Sequence, residues 1–157
     1  MDLTDLDRIA AKEKSDRPKH EIRCCTAAGC VSAGSLDVLE CLKQAVDSRG
    51  LADETRVAAV GCMRLCSQGP LVQVDDEALE GSAEGPMYCR VNTENASSIV
   101  GVIQGEAPLA EACDPSQPFF ALQSSLVLEN CGRIEPERIE AYIAAGGYRA
   151  LHRAVLE

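Results

Sequence analysis

Two pairs of cysteines carry the chemistry this sequence could do. Cys25 and Cys30 stand in CTAAGC with four residues between them, and Cys62 and Cys66 stand in GCMRLCSQGP with three between them. Four thiolates offered by two loops suit an iron–sulfur cluster or a tetrahedral metal ion. The spacing separates these options to a degree. Zinc sites usually present two cysteines two residues apart on each side, and neither pair is so spaced. The plant-type and bacterial ferredoxin runs do not match either, and the CxxC of a disulfide oxidoreductase is absent. A cluster leads, with structural zinc and unmetallated thiols left open.

Composition sets the frame. The 157 residues are 46% hydrophobic and only 3% aromatic, so any core is aliphatic. A formal charge of −10 opposes nucleic-acid phosphates and anionic membranes and suits partners with basic patches. There is no run of eighteen apolar residues to span a membrane. The charged start MDLTDLDRIAAKEKSDRPKH lacks the apolar stretch of an export signal. Nine cysteines in such a chain point to a reducing compartment, the cytoplasm, and to ligand duty rather than disulfides.

The elements that must position the pairs follow from periodicity and punctuation. Residues 1–18 form an arm with a short helix, Thr4 as its cap and Leu3, Leu6 and Ile9 on one face. A strand over 20–24 leads into the first cysteine loop, whose small residues let backbone N–H groups approach an inorganic core. Ser35 caps a helix over 36–48 with Leu36, Leu39, Leu42 and Val46 inward, and Gly50 closes it. Strands are expected at 55–60, 70–75 and 87–91, with an acidic, solvated turn over 75–85. Thr93 caps a helix reaching about Gln104, with Ala96, Ile99, Val100 and Ile103 inward. A strand, a crossover helix and a second strand make a parallel pair, so the fold class is α/β. Both cysteine loops then leave the carboxyl ends of those strands, where open α/β sheets place their ligand sites.

Residues 105–118 read as a linker, and 119–157 as a helical segment. There Pro136 opens a helix with Ile139, Tyr142 and Ile143 on one face, Gly146-Gly147 ends it, and Tyr148, Leu151 and Val155 mark another. This tail has too little apolar surface for its own core and is expected to need a partner surface.

The pattern Cys-x4-Cys, a helix, then Gly-Cys-x3-Cys-x2-Gly-Pro and an apolar strand resembles the thioredoxin-like 2Fe–2S ferredoxins, among them the small iron–sulfur subunit of the complex I NADH module. Cys25, Cys30, Gly34, Gly61, Cys62, Cys66 and Pro70 carry the match, over residues 19–104. The resemblance implies a thioredoxin-like ferredoxin domain with one 2Fe–2S cluster on Cys25, Cys30, Cys62 and Cys66, moving single electrons. It also favours Cys25 over its neighbour Cys24. The segment QSSLVLENCGRIEPERIEAYIAAGGYRAL is similar to the stretch preceding the FMN-binding domain of NADH-oxidising flavoprotein subunits. The two resemblances together look most like the diaphorase subunit of NAD(P)-linked bidirectional hydrogenases. They imply an NAD(P)H-linked oxidoreductase complex with other iron–sulfur and flavin subunits as partners. The Gly-rich FMN and NADH site of those subunits does not occur in these residues. The chain is expected to be an N-terminal piece or a short relative, unable to oxidise NADH alone. Cys41 and Cys89 are expected as small buried hydrophobes, Cys113 as an idle linker thiol, Cys131 as structural and Arg64 as an exposed charge. His20 and His152 are assigned no role.

Overall fold

A computed structural model describes residues 3–76, 85–114 and 117–156. The chain runs α1 (Leu3–Ser15), β1 (His20–Cys25), α2 (Ala28–Ser32), α3 (Ser35–Ser48) and β2 (Thr55–Val60). It continues through a 3-10 turn at Cys66–Gln68 to β3 (Val72–Asp76), β4 (Met87–Cys89), α4 (Ala96–Val102) and β5 (Glu111–Cys113). Three short helices end it: α5 (Pro118–Ala121), α6 (Ile139–Ala144) and α7 (Arg149–Leu156). The five strands form one sheet in the order β2-β1-β3-β4-β5. β1 and β2 are parallel, joined by the α3 crossover, and the remaining pairs are antiparallel.

Strand alternation divides the sheet into two chemically different faces. Ile22, Cys24, Val72, Val74 and Tyr88 point to one face, where α3 and α4 cover them with Val38, Leu42, Val46, Ala96, Ile99 and Val100. Cys25, Ala58, Val60, Leu71, Met87 and Cys89 point to the other, where Cys30, Met63 and Phe120 join them. The same second face carries charge. Buried Glu21 on β1 accepts from Arg56 on β2, and buried Arg23 pairs with Asp75 on β3. Glu13 of α1 bridges Arg56 and Arg138.

Several expectations change in detail. Ser35 is the first residue of α3, not its cap; Gly34 precedes it in the left-handed conformation at φ 92°, and the Ser35 hydroxyl is buried with no hydrogen-bond partner. The inner face of α3 is Val38, Leu42, Ala45 and Val46, while Leu36 is 54% exposed. Thr4 lies inside α1, Leu6 and Ala10 are its buried residues, and Leu3 faces water. Before α4 the Asn92 carboxamide accepts from the Glu94 and Asn95 N–H groups, so Asn92 rather than Thr93 organises that turn. The 87–91 strand stops at Cys89 because Arg90 turns to φ 50°. Asp75 is not a solvated turn residue but the partner of Arg23. The rest of the expected acidic turn, 77–84, lies outside the described residues.

The stretch expected as a linker supplies the edge strand β5, paired with β4. The tail is not left without a surface. Ile143 of α6 packs on Leu6 and Ala10 of α1, with Arg138 to Glu13 at 2.7 Å and Arg149 to Asp7 beside it. Pro136 precedes α6, which begins at Ile139, and Gly146 at φ 92° ends it. The expectation of an unsupported tail therefore holds only for part of its apolar surface. Leu126 and Val127 remain 85% and 96% exposed. Among the described residues no helix is long and apolar enough to cross a membrane.

Candidate metal centre

β1 delivers Cys25 at its carboxyl end, and the Cys25 N–H donates to the Leu71 carbonyl at 3.0 Å, fixing the strand end against the start of β3. Thr26 turns the chain away, its N–H and hydroxyl both donating to the Val60 carbonyl at the end of β2. The five-residue helix α2 then carries Cys30 inward. Beyond β2, Gly61 opens the loop that holds Cys62, and Cys66 begins the 3-10 turn. Two β-strand ends and two short loops thus gather the four cysteines on one end of the sheet.

The thiols come as two pairs in mutual reach. Cys62 Sγ and Cys66 Sγ are 3.7 Å apart. Cys25 and Cys30 are fully buried in one cluster, with Cys25 close enough to act on the Cys30 thiol. Burial pushes the Cys30 thiol up to about 12, with neighbouring Cys25 adding to it and the Leu71 backbone opposing it. The Cys66 thiol is raised by its hydrogen bond to Cys62, then by the charges of Cys62 and Cys25 and by slight desolvation. Without iron these groups hold their protons, and a thiophilic cation must displace them.

Two glycines shape the cradle. A Cβ on Gly69 would sit 2.8 Å from Cys30 Sγ, and one on Gly29 would sit 3.2 Å from Cys66 Cβ. Arg64, at φ 70°, turns its backbone N–H onto Cys62 Sγ at 3.3 Å. Half-buried, with its guanidinium donating to the Ser125 hydroxyl, Arg64 is not the exposed charge expected of it. Among the described residues no three His, Cys, Asp or Glu side chains are gathered for a single ion. Two thiol pairs instead suit a core of two irons, each taking one pair, with small residues and backbone N–H groups against the sulfurs.

The other cysteines fall elsewhere. Cys24 points through the sheet to the opposite core, its Sγ 3.7 Å from the Ser35 carbonyl, because a one-residue step along a strand reverses the face. Burial, then the charges of Cys25 and Cys30, push the Cys24 thiol up to about 12. Cys41 packs at the edge of the α3 core. Cys113 lies in β5 rather than in a linker, and its thiol is pushed up to about 12, chiefly by burial and then by neighbouring Cys89. Cys131 is half-buried, its Sγ 3.1 Å from the position a Cβ on Gly61 would take. Gly29, Gly69 and the Arg64 N–H were not singled out from the sequence. The glycines stood inside the quoted motifs, but only the fold shows which sulfur each one meets.

An α/β sheet with two pairs of thiols beyond its strand ends has the make-up of a small redox domain. Comparison with known proteins makes this specific. Residues 12–100 match the model of the thioredoxin-like [2Fe-2S] ferredoxin family, and the chain belongs to that family. It is 34% identical over 91 residues to the 2Fe-2S ferredoxin of Clostridium pasteurianum, covering 53% of this chain and 82% of that protein. The thioredoxin-like [2Fe-2S] ferredoxin of Aquifex aeolicus superposes with a TM-score of 0.50 at 21% identity, covering 64% of this chain and 98% of that one. The protein is a 2Fe–2S electron carrier with a thioredoxin-like ferredoxin fold.

Proposed function

We propose that Cys25, Cys30, Cys62 and Cys66 are the four ligands, and that the carrier serves an NAD(H)-linked flavin and iron–sulfur oxidoreductase of the hydrogenase-diaphorase type. The observation that carries the ligand set is the convergence of two thiol pairs from two loops, with Cys24 turned to the opposite face of the sheet. When bound, the cluster accepts and returns one electron at a time. The chain's own residues set the conditions. Cys25 and Cys30 sit in an aliphatic pocket of Val60, Leu71 and Met87 that excludes water. Cys62 and Cys66 lie toward solvent, so exchange with a partner runs over that edge. The Arg64 N–H aimed at the Cys62 sulfur favours the added negative charge of the reduced state.

The partner reading rests on the resemblance of residues 123–151 to the segment before an FMN-binding domain, and on the apolar surface that segment leaves open. Leu126, Val127, Leu151 and Val155 are all exposed. The test is electron transfer. The oxidised carrier should stay coloured with NADH alone and bleach when an NADH-oxidising flavoprotein subunit is added. Bleaching by NADH without a flavoprotein, or none with one, would overturn this reading.

A further inference from the structure

Residues 117–133 lie beyond the part of the chain that matches the ferredoxin family, yet they meet the second cysteine loop directly. Five contacts hold the segment to that loop and to the sheet beside it. The Arg64 guanidinium donates to the Ser125 hydroxyl. Ser125 is half-buried between exposed neighbours on both sides, so this contact ties down the middle of the segment. Gly132, at φ 79°, comes so close that an added Cβ would lie 3.2 Å from the Cys62 carbonyl and 3.1 Å from Met63 Cγ. The Gly132 carbonyl accepts from Nη1 of buried Arg23 at 3.0 Å. Cys131 Sγ sits over Gly61, 3.1 Å from where a Cβ on residue 61 would lie, so a side chain there would press on it. Phe120 packs on the core cluster that contains Cys25 and Cys30.

We propose that residues 117–133 are a strap that closes over the Cys62–Cys66 loop, with Ser125 and Gly132 as positioning residues that act on the cluster through Arg64 and Cys62. This rests on the assignment of Cys62 as a ligand. Arg64 is the coupling element. Its side chain is tied to the strap, and its backbone N–H, in a left-handed conformation unusual for arginine, donates to the Cys62 sulfur. Loss of the strap frees Arg64 from that conformation and opens the Met63 and Cys62 backbone to water. Two measurable quantities follow. Chelators reach the iron faster, and the midpoint potential shifts because the Cys62 sulfur exchanges the Arg64 N–H for water.

The test uses the full-length, cluster-loaded chain. Ser125→Ala removes the tether without touching the loop, Ser125→Thr keeps the hydroxyl, and Gly132→Val drives a side chain into Met63 and Cys62. Iron loss to a chelator, midpoint potential and the electron paramagnetic resonance spectrum of the reduced state are measured for each. Ser125→Ala should lose iron about tenfold faster, the factor for one lost hydrogen bond to a charged group. Its potential and its spectrum should both shift from the wild type. Gly132→Val should change all three in the same direction and further, and Ser125→Thr should match the wild type. If Ser125→Ala matches the wild type in all three, the strap is passive and the proposal is overturned. Cys62→Ser separates the two claims: an unchanged spectrum in that variant overturns the ligand assignment, whatever Ser125→Ala does.

Discussion

Replacing Gly69 by alanine tests how tightly the Cys30 sulfur is held. Gly69 has φ −68° and ψ 164°, a conformation alanine adopts without strain, so the substitution acts through its added methyl alone. That methyl would stand 2.8 Å from Cys30 Sγ and 3.4 Å from the Cys66 carbonyl. Restoring a 3.4 Å contact moves the sulfur by at least about 0.6 Å, beyond the ~0.5 Å tolerance of a preorganised ligand shell. Cys30 is fully buried among Val60, Leu71 and Met87, so it has no open side to move into. Overpacking of this kind costs about 1–3 kcal/mol, and if that falls on the loaded state the iron should leave roughly tenfold to a hundredfold faster. The assay is the first-order loss of visible absorption under excess chelator, alongside iron content after purification. Gly29→Ala should be milder, because its 3.2 Å contact is to Cys66 Cβ at the exposed end of the site. Gly34→Ala is the control. Its φ of 92° costs alanine about 1–2 kcal/mol of fold stability, but nothing lies within 4 Å of the new methyl. Chelator kinetics in Gly69→Ala equal to wild type, or slower than in Gly34→Ala, would refute the placement of Cys30 as a ligand packed against Gly69.

Cys24→Ala should keep the cluster spectrum and lose about 1 kcal/mol to a small cavity in the α3 core, lowering Tm by about 2–4 °C by calorimetry. Arg23→Ala should cost about 3 kcal/mol in denaturant midpoint, the low end for breaking a buried ion pair, because Asp75 retains some access to water. The Cys113 thiol, raised from 9.0 to about 12, stays protonated and should resist iodoacetamide at pH 8 until the chain is unfolded, as read by mass spectrometry. The sign of its linkage follows from the raised value. The neutral thiol contributes stability below pH 9 that is lost as pH climbs toward 12, so alkaline unfolding should begin earlier in wild type than in Cys113→Ala.

The parallel β1–β2 pair and its crossover were legible because a helical period sits between two short apolar runs, and one handed connection satisfies that order. The 2Fe–2S chemistry was legible because thiol spacing is local. The rotation of α3 was not: Leu36 and Val38 are both apolar, and packing against the sheet chose Val38. β5 was missed because three residues between a Pro-containing stretch and an aspartate carry no readable alternation; pairing with β4 makes the strand. Asp75 looked like a solvated turn residue because its partnership with Arg23 spans antiparallel strands, a register the sequence does not print. The docking of the tail on α1 and on the Cys62 loop joins residues more than a hundred positions apart in the first case and 61 in the second, beyond any periodicity argument.

Iron, zinc and acid-labile sulfide, measured together on the anaerobically purified full chain and on its Cys24→Ala and Cys25→Ala variants, test the central claim most directly. The account predicts two irons and two sulfides per chain in the wild type and in Cys24→Ala, and loss of both in Cys25→Ala. Zinc without sulfide in the wild type, or a fully loaded Cys25→Ala beside an empty Cys24→Ala, would contradict it.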